Sequence, residues 1–141
     1  MESRFDSIVS DRPQVLVIGC GAVGSVVAHH LAAHEAIGDV LLADVDGELA
    51  KRTAAHLRSP KARAMQIDAS DEDALRRAMR GCGLVINTAL PRFNRLIQSA
   101  ALGEHANYLD PANDSADPFV DSDTWKAAGL TALCAMARIP G

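Results

Sequence analysis

Residues 15–24 read Val-Leu-Val-Ile-Gly-Cys-Gly-Ala-Val-Gly, and this stretch decides the fold. Its four apolar residues, mostly β-branched, predict a strand that is buried on both faces, as in a parallel sheet. The glycines follow the spacing G-x-G-x-x-G, and the residues after them predict a helix over residues 22–34. A strand, a glycine loop and a helix in this order are typical of dinucleotide-binding domains.

Each glycine of the loop has a separate role in this interpretation. Gly19 permits a tight turn out of the strand, Gly21 leaves the backbone bare for a pyrophosphate, and Gly24 allows close packing of the helix on the strand. The start of the helix offers unpaired N–H groups and a positive dipole end to phosphates. We therefore predict that Gly19, Gly21, Ala22, Val23 and Gly24 bind a dinucleotide.

An acidic residue completes the pattern. Asp44 lies twenty residues after Gly24, at the end of a second predicted strand over residues 39–43. A carboxylate at this position accepts hydrogen bonds from the adenosine ribose hydroxyls and repels a 2′-phosphate. Since Val45 supplies no cation beside it, the sequence favours NAD as the cofactor, with NADP as the alternative. A competing interpretation is that Asp44 caps the next helix.

Composition limits the class of protein. The 141 residues suit one domain, which we divide into a polar lead-in at residues 1–13 and a nucleotide-binding domain at residues 14–136. The net charge of −4 and the absence of a long apolar run predict neither a nucleic-acid nor a membrane partner. With no signal peptide at its start, the chain is expected to be cytoplasmic.

The rest of the chain alternates between strand and helix patterns. This alternation predicts a doubly wound parallel sheet, a Rossmann fold of three layers and about six strands, in the order 3-2-1-4-5-6. In the third helix we expect Ser70 to be the N-cap, and Glu72 and Asp73 to pair with Arg76 and Arg77. The further strands are predicted at residues 62–67, 84–86, 106–109 and 130–136, and the helices at residues 47–57, from 70, at 91–102 and at 125–128.

Ligands of such sheets bind at the carboxyl ends of the strands. We expect Asp68 and Ala69 to flank the adenine, and Asn87, Thr88 and Ala89 to face the nicotinamide side, with Leu90 next to them in the same lining. Asp110, at the end of the fifth predicted strand, would lie at the same edge. For Asp68 and Asn87 an equally weighted alternative is a structural role in a strand-end turn or cap.

Cysteine and histidine spacings indicate no metal site. Cys20, Cys82 and Cys134 are far apart and form neither a zinc pattern nor a disulfide framework. Cys20, close to a helix start, is either a thiol of lowered pKa or, as we favour, a small buried filler. His30 and His34 have a metal-like spacing, but no third ligand is evident nearby, so no metal is predicted.

Several strand ends together resemble the cofactor domain of the saccharopine dehydrogenase family. The matching pieces are residues 15–24, Leu42-Ala43-Asp44, Gln66-Ile67-Asp68-Ala69, residues 85–91, Tyr108-Leu109-Asp110 and residues 125–131. The resemblance implies NAD(P)-dependent hydride transfer at a carbon–nitrogen bond of an amino acid or polyamine-like substrate. It also implies that residues 137–141 are a truncated entry to a substrate domain. This chain alone would then be an inactive part of an enzyme with unassigned catalytic residues. Self-association to a homo-oligomer is compatible with such a part.

Three other classes share the glycine loop. A short-chain dehydrogenase would need Tyr-x-x-x-Lys, but Ala112 stands four residues after Tyr108. A ubiquitin-activating-like adenylyltransferase would carry Asn-Leu-x-Arg after the second strand, and residues 47–52 lack it. A non-enzymatic nucleotide-sensing domain of the potassium-transport type stays open, because it has a similar length, glycine loop and Asp-Ala-Ser/Thr strand end.

Overall fold

The computed structural model of the chain describes residues 12–111 and 121–134. Its strands are β1 (Gln14–Ile18), β2 (Val40–Asp44), β3 (Ala62–Gln66), β4 (Cys82–Asn87), β5 (Asn107–Leu109) and β6 (Ala132–Leu133). They form one six-stranded sheet in the order β3-β2-β1-β4-β5-β6, and every neighbouring pair is parallel. The predicted Rossmann fold and strand order are confirmed.

Helices cover both faces of the sheet. They are α1 (Ala22–Ala33), α2 (Gly47–Leu57), α3 (Glu72–Met79), α4 (Asn94–Gly103) and α5 (Ser122–Ala127). A 3₁₀ turn at Pro91–Phe93 leads into α4, with the proline at a first-turn position where its missing N–H costs nothing. Buried residues of α1 and α2 belong to one core cluster, and those of α3, α4 and α5 belong to the other.

The central strand shows why the sheet needs both helical layers. Side chains alternate along a strand, so Val15 and Val17 join the cluster under α1 and α2, whereas Leu16 and Ile18 join the opposite cluster. All four are at most 3% exposed. An apolar run without polar alternation is therefore satisfied only in a sheet that is covered on both sides.

The structure corrects the predicted N-cap of α3 and shows which residue caps α2. Asp71, and not Ser70, is the N-cap of α3, since its carboxylate accepts from the N–H of Ala74 at 3.1 Å. The Ser70 hydroxyl is used elsewhere, because it donates to Asp68. At α2 the N-cap is Asp46, so the interpretation of Asp44 as a helix cap is wrong.

The expected ion pairs within α3 do not form in the described part of the chain. The Arg76 Nε instead donates to the Glu104 Oε1 at 2.9 Å, at the end of α4. Glu104 is mostly buried, with 17% of its side chain exposed. Arg76 therefore belongs to the contact between two helices and not to a solvated face.

Near the ends of the chain, the predicted elements agree with the structure only in part. The sixth strand, expected over residues 130–136, comprises Ala132–Leu133 and pairs with β5. The lead-in at residues 1–11, the acidic loop at residues 112–120 and residues 135–141 lie outside the described residues. None of the described helices is long and apolar enough to cross a bilayer.

Candidate dinucleotide-binding site

The first glycine of the loop is required by the fold. Gly19 has a φ of +97°, a conformation that side-chain-bearing residues rarely adopt. A Cβ here would lie 2.8 Å from the Thr88 Oγ1 and 2.9 Å from the Thr88 carbonyl carbon. Thr88 in turn donates its hydroxyl to the carbonyl oxygens of Ile18 and Gly19, at 2.9 and 2.8 Å. The turn is thus packed against the end of β4.

The third glycine brings α1 against this turn. A Cβ on Gly24 would overlap the carbonyl oxygen of Gly19 and would approach the Thr88 Oγ1 to 2.7 Å. Gly24 is buried, whereas the neighbouring Val23 is 55% exposed. The close packing that was predicted for this glycine is confirmed.

The second glycine is different, because the fold does not require it. Gly21 has an ordinary φ of −74°, and a Cβ placed on it would meet nothing within 4 Å. It is the N-cap residue of α1, where no side chain caps the helix and no acidic residue occupies the first turn. The exposed start of α1 therefore presents bare backbone N–H groups to the space above Gly21.

That space belongs to an open cavity of about 690 Å³ at the carboxyl ends of β1, β2, β3 and β4, which we call the crevice. Ala22, Val23, Gly24 and Asn87 are not among the residues that line it. The predicted site residues that the structure brings together along its walls are Gly19, Gly21, Asp44, Asp68, Ala69, Thr88 and Ala89.

Asp44 connects the glycine loop to the end of β2. Its Oδ2 accepts from the N–H of Cys20 at 2.9 Å, and its Oδ1 accepts from the N–H of Asp46 at 2.9 Å. A carboxylate has about four lone-pair sites, so each oxygen retains one for a hydroxyl group in the crevice. Asp44 can therefore hold the loop and bind a ribose at the same time.

Asp68 forms a strand-end turn and also lines the crevice. Its Oδ1 accepts from the Ser70 hydroxyl at 2.6 Å and from the Ser70 N–H at 2.9 Å, which forms a strand-end turn. These two hydrogen bonds favour the charged form and hold the pKa of the Asp68 carboxyl below its ordinary value. The carboxylate is exposed and still lines the crevice.

Asn87 does not face the crevice, which corrects the prediction for this side chain. It is 1% exposed, and its Nδ2 donates to the Asn94 Oδ1 at 2.7 Å and to the Tyr108 hydroxyl at 3.0 Å. Its Oδ1 accepts from the N–H of Ala89 at 3.0 Å. The structural alternative therefore applies to Asn87, and the loop after it supplies the crevice wall.

Asp110 is also buried below the site. It is 0% exposed and does not line the crevice, and its Oδ2 accepts from the Tyr108 hydroxyl at 2.7 Å. Burial is the main cause that raises the pKa of Tyr108 above its ordinary value, and the bond to Asp110 adds to it. This buried network includes the Tyr108-Leu109-Asp110 stretch of the resemblance.

Sequence reasoning missed most of the wall that follows β4. Leu90 lines the crevice as predicted, but so do Pro91, Arg92 and Phe93, together with Val45, Ile67 and Ser70, which were not predicted. The available signal was Pro91, which turns the chain just beyond a strand end and so directs the following residues back over the edge of the sheet.

The thiol in the glycine loop is not activated. Cys20 is 3% exposed, and burial, followed by the nearby Asp44 carboxylate, raises its pKa to about 11. The interpretation as a buried filler is confirmed. Within residues 12–111 and 121–134 no three histidine, cysteine or acidic side chains converge as possible metal ligands.

The comparison with protein families identifies the chain. A family model described as the saccharopine dehydrogenase NADP-binding domain matches residues 15–133. The chain belongs to this family. The match covers nearly all of the described residues. The chain is therefore a Rossmann domain of the NAD(P)-binding type found in this family.

Relatives agree with this assignment. The carboxyaminopropylagmatine dehydrogenase of Synechocystis is 34% identical over 139 residues, which are 91% of this chain and 35% of that protein. The chain thus spans about a third of the length of this curated relative.

Two solved structures share the fold. The saccharopine dehydrogenase (L-Glu forming) of Saccharomyces cerevisiae has a TM-score of 0.75 at 22% identity, over 88% of this chain and 27% of that one. An NAD-binding oxidoreductase of Klebsiella pneumoniae has a TM-score of 0.65 at 19% identity, over 87% and 34%.

Proposed function

We propose that this domain serves an oxidoreductase that transfers a hydride between NAD and a carbon–nitrogen bond of an amino acid or polyamine-like substrate. The observation that carries the proposal is the crevice. It is lined both by Gly21, whose backbone has free space above it, and by the Asp44 carboxylate. The glycine loop would hold the pyrophosphate, and Asp44 would hold the adenosine ribose. When bound, the nicotinamide supplies the hydride chemistry.

The substrate class is supported by the relative from Synechocystis. Its name describes a dehydrogenase of a carboxyaminopropyl derivative of agmatine, which is an amino acid and a polyamine-like molecule at once. Similarity at 34% identity covers the nucleotide-binding part and does not extend to the rest of that protein. The substrate therefore belongs to the proposal.

NAD is proposed over NADP on electrostatic grounds. The carboxylates of Asp44 and Asp68 line the end of the crevice that an adenosine would occupy, and both would repel a 2′-phosphate. The nearby Lys51 is exposed and pairs with Glu48 at 3.3 Å. The family description names NADP, so a direct comparison of the two cofactors decides the matter.

Calorimetric titration of the purified chain with NAD tests the site. Gly21→Leu should abolish binding, because its side chain would occupy the place of the pyrophosphate. The fold should persist, since Gly21 has an ordinary φ and nothing lies within 4 Å of its Cβ position. Ala33→Leu, at the exposed far end of α1, is the control and should bind like the wild type. Equal affinity of the Gly21→Leu variant would place the nucleotide elsewhere.

Turnover is a separate prediction. The described residues that line the crevice include no lysine, histidine or tyrosine that could exchange a proton with a substrate nitrogen. We therefore expect the 141-residue chain to bind NAD without reducing it in the presence of saccharopine, lysine or polyamine-type substrates. Reduction measured at 340 nm with the chain alone would contradict this.

A nucleotide-sensing domain is the second candidate, favoured by the same lining, and it predicts no turnover even after a separately expressed substrate domain is added.

A further inference from the structure

One wall of the crevice is a loop whose two ends are joined by buried side chains. Residues 88–93 connect β4 to α4, and the Asn87 Nδ2 donates to the Asn94 Oδ1 across the base of this loop at 2.7 Å. Asn87 also donates to the Tyr108 hydroxyl, which donates to Asp110. All four side chains are at most 2% exposed. The loop is therefore anchored to the core at both ends.

Arg92 projects from this anchored loop. Its guanidinium carbon lies 4.8 Å from the centroid of the Phe93 ring, and both residues line the crevice. A cation in this position is attracted by the quadrupole of the ring, so Phe93 favours this placement of the guanidinium. Arg92 is the only cation among the described residues of the lining. The carboxylates of Asp44 and Asp68 lie on the other side of β1, at the ends of β2 and β3.

We propose that Arg92 binds an oxyanion in the crevice, either a phosphate of the dinucleotide or a carboxylate of the substrate. The inference rests on the proposed function, because it assumes that a dinucleotide and its substrate meet in this crevice. A guanidinium presents paired N–H donors that match the oxygens of phosphate and carboxylate groups. The acidic side of the crevice instead suits hydroxyl and amino donors. The two walls thus give the bound ligand a direction.

The first arm of the test measures NAD affinity by calorimetry at low salt. If the oxyanion is a phosphate, Arg92→Gln should weaken binding about tenfold or more, and Arg92→Lys should retain part of the affinity as a point charge. Arg95→Gln is the matched control. Arg95 lies on α4, pairs with Asp121 at 3.6 Å and does not line the crevice, so its loss removes the same charge and should leave the affinity unchanged.

The second arm detects a carboxylate. The Arg92 Nε–H resonance of ¹⁵N-labelled chain is followed by NMR during titration with glutarate, with and without saturating NAD, and glutaramide is the uncharged control. If the oxyanion is a carboxylate, glutarate shifts this resonance, glutaramide does not, and the Arg95 resonance stays in place.

Either response supports the inference and identifies the source of the oxyanion. It is overturned if Arg92→Gln and Arg95→Gln bind NAD equally well and glutarate leaves the Arg92 resonance unmoved. A wild-type chain that binds no NAD would overturn the proposed function instead, while the glutarate titration without NAD would still decide the role of Arg92. Circular dichroism of each variant verifies that the fold is intact.

Discussion

At the scale of single residues, Asp44 links the folding of the glycine loop to the proposed binding of the cofactor. Its two oxygens accept from the N–H groups of Cys20 and Asp46, each at 2.9 Å. The bond to Cys20 holds the glycine loop against β2, and Asp44 also lines the crevice. A substitution at this position is therefore expected to change both stability and cofactor choice.

Asp44→Asn should lower the affinity for NAD and shift the preference toward NADP. Loss of the charge removes the repulsion of a 2′-phosphate. The amide NH₂ cannot accept a hydrogen bond, so one of the two backbone N–H groups that Asp44 binds loses its acceptor, which lowers the stability by about 1–3 kcal/mol. Calorimetry with both cofactors and urea unfolding measure the two effects. Asp39→Asn, which removes a charge at the opposite end of β2, is the control. An unchanged ratio of the two dissociation constants would exclude Asp44 from cofactor selection.

At the scale of elements, the contact between α1 and the turn after β1 leaves no room for a methyl group. The Cβ of an alanine at position 24 would overlap the Gly19 carbonyl oxygen, so α1 would have to move away from the sheet. This movement would also disturb the bare N–H groups at the start of the helix. Packing at this one contact thus determines where the N-terminal end of α1 lies relative to the crevice.

Gly24→Ala should destabilise the domain by about 1–3 kcal/mol in spite of the better helix propensity of alanine, because overpacking outweighs it. Gly103→Ala in α4 is the matched control. Its Cβ would meet the flexible end of the Arg76 side chain at 3.1 Å, which can move, so its free energy of unfolding should change little. Urea denaturation of the two variants provides the comparison, and equal stabilities would contradict the packing argument.

At the scale of the whole molecule, burial of neutral acids makes the fold sensitive to alkali. Burial raises the pKa of Cys20 and of Cys134 to about 11, and it raises the pKa of Cys82 and Tyr108 as well. The folded chain thus holds these protons more tightly than the unfolded chain, in which thiols titrate near 9.0. Their stabilisation is fully present below that pH and is lost as the pH rises through the folded pKa values.

We therefore expect the free energy of unfolding to decline between about pH 9 and pH 11 in the presence of a reducing agent. Urea unfolding at a series of pH values measures this slope. A Cys20→Ala, Cys82→Ala double variant should show a shallower decline, because it lacks the two buried thiols. Of the three cysteines it retains only the partly exposed Cys134. A wild-type chain of constant stability up to pH 11 would refute the expectation.

Sequence patterns were sufficient to predict the elements, their order in the sheet and the part of the site that lies on the glycine loop. Those features depend on local patterns, namely apolar runs, glycine spacing and an acid at a strand end, together with the right-handed crossover that parallel strands obey. Gly19, Gly21 and Asp44 could be assigned to the crevice for this reason.

The folded structure was needed to show which way the remaining side chains point and what they contact. Asn87 was expected in the crevice, but its partner Tyr108 lies 21 residues away, and the hydrogen bond between them holds Asn87 in the core. Arg76 contacts Glu104, 28 residues away, in place of a neighbour on its own helix. Arg92 reaches the crevice from a loop whose two ends are joined by the hydrogen bond between Asn87 and Asn94, a side-chain contact that the turn signal of Pro91 does not reveal. Side-chain hydrogen bonds between residues that are distant in the chain form only when packing brings those residues together, so sequence spacing does not reveal them.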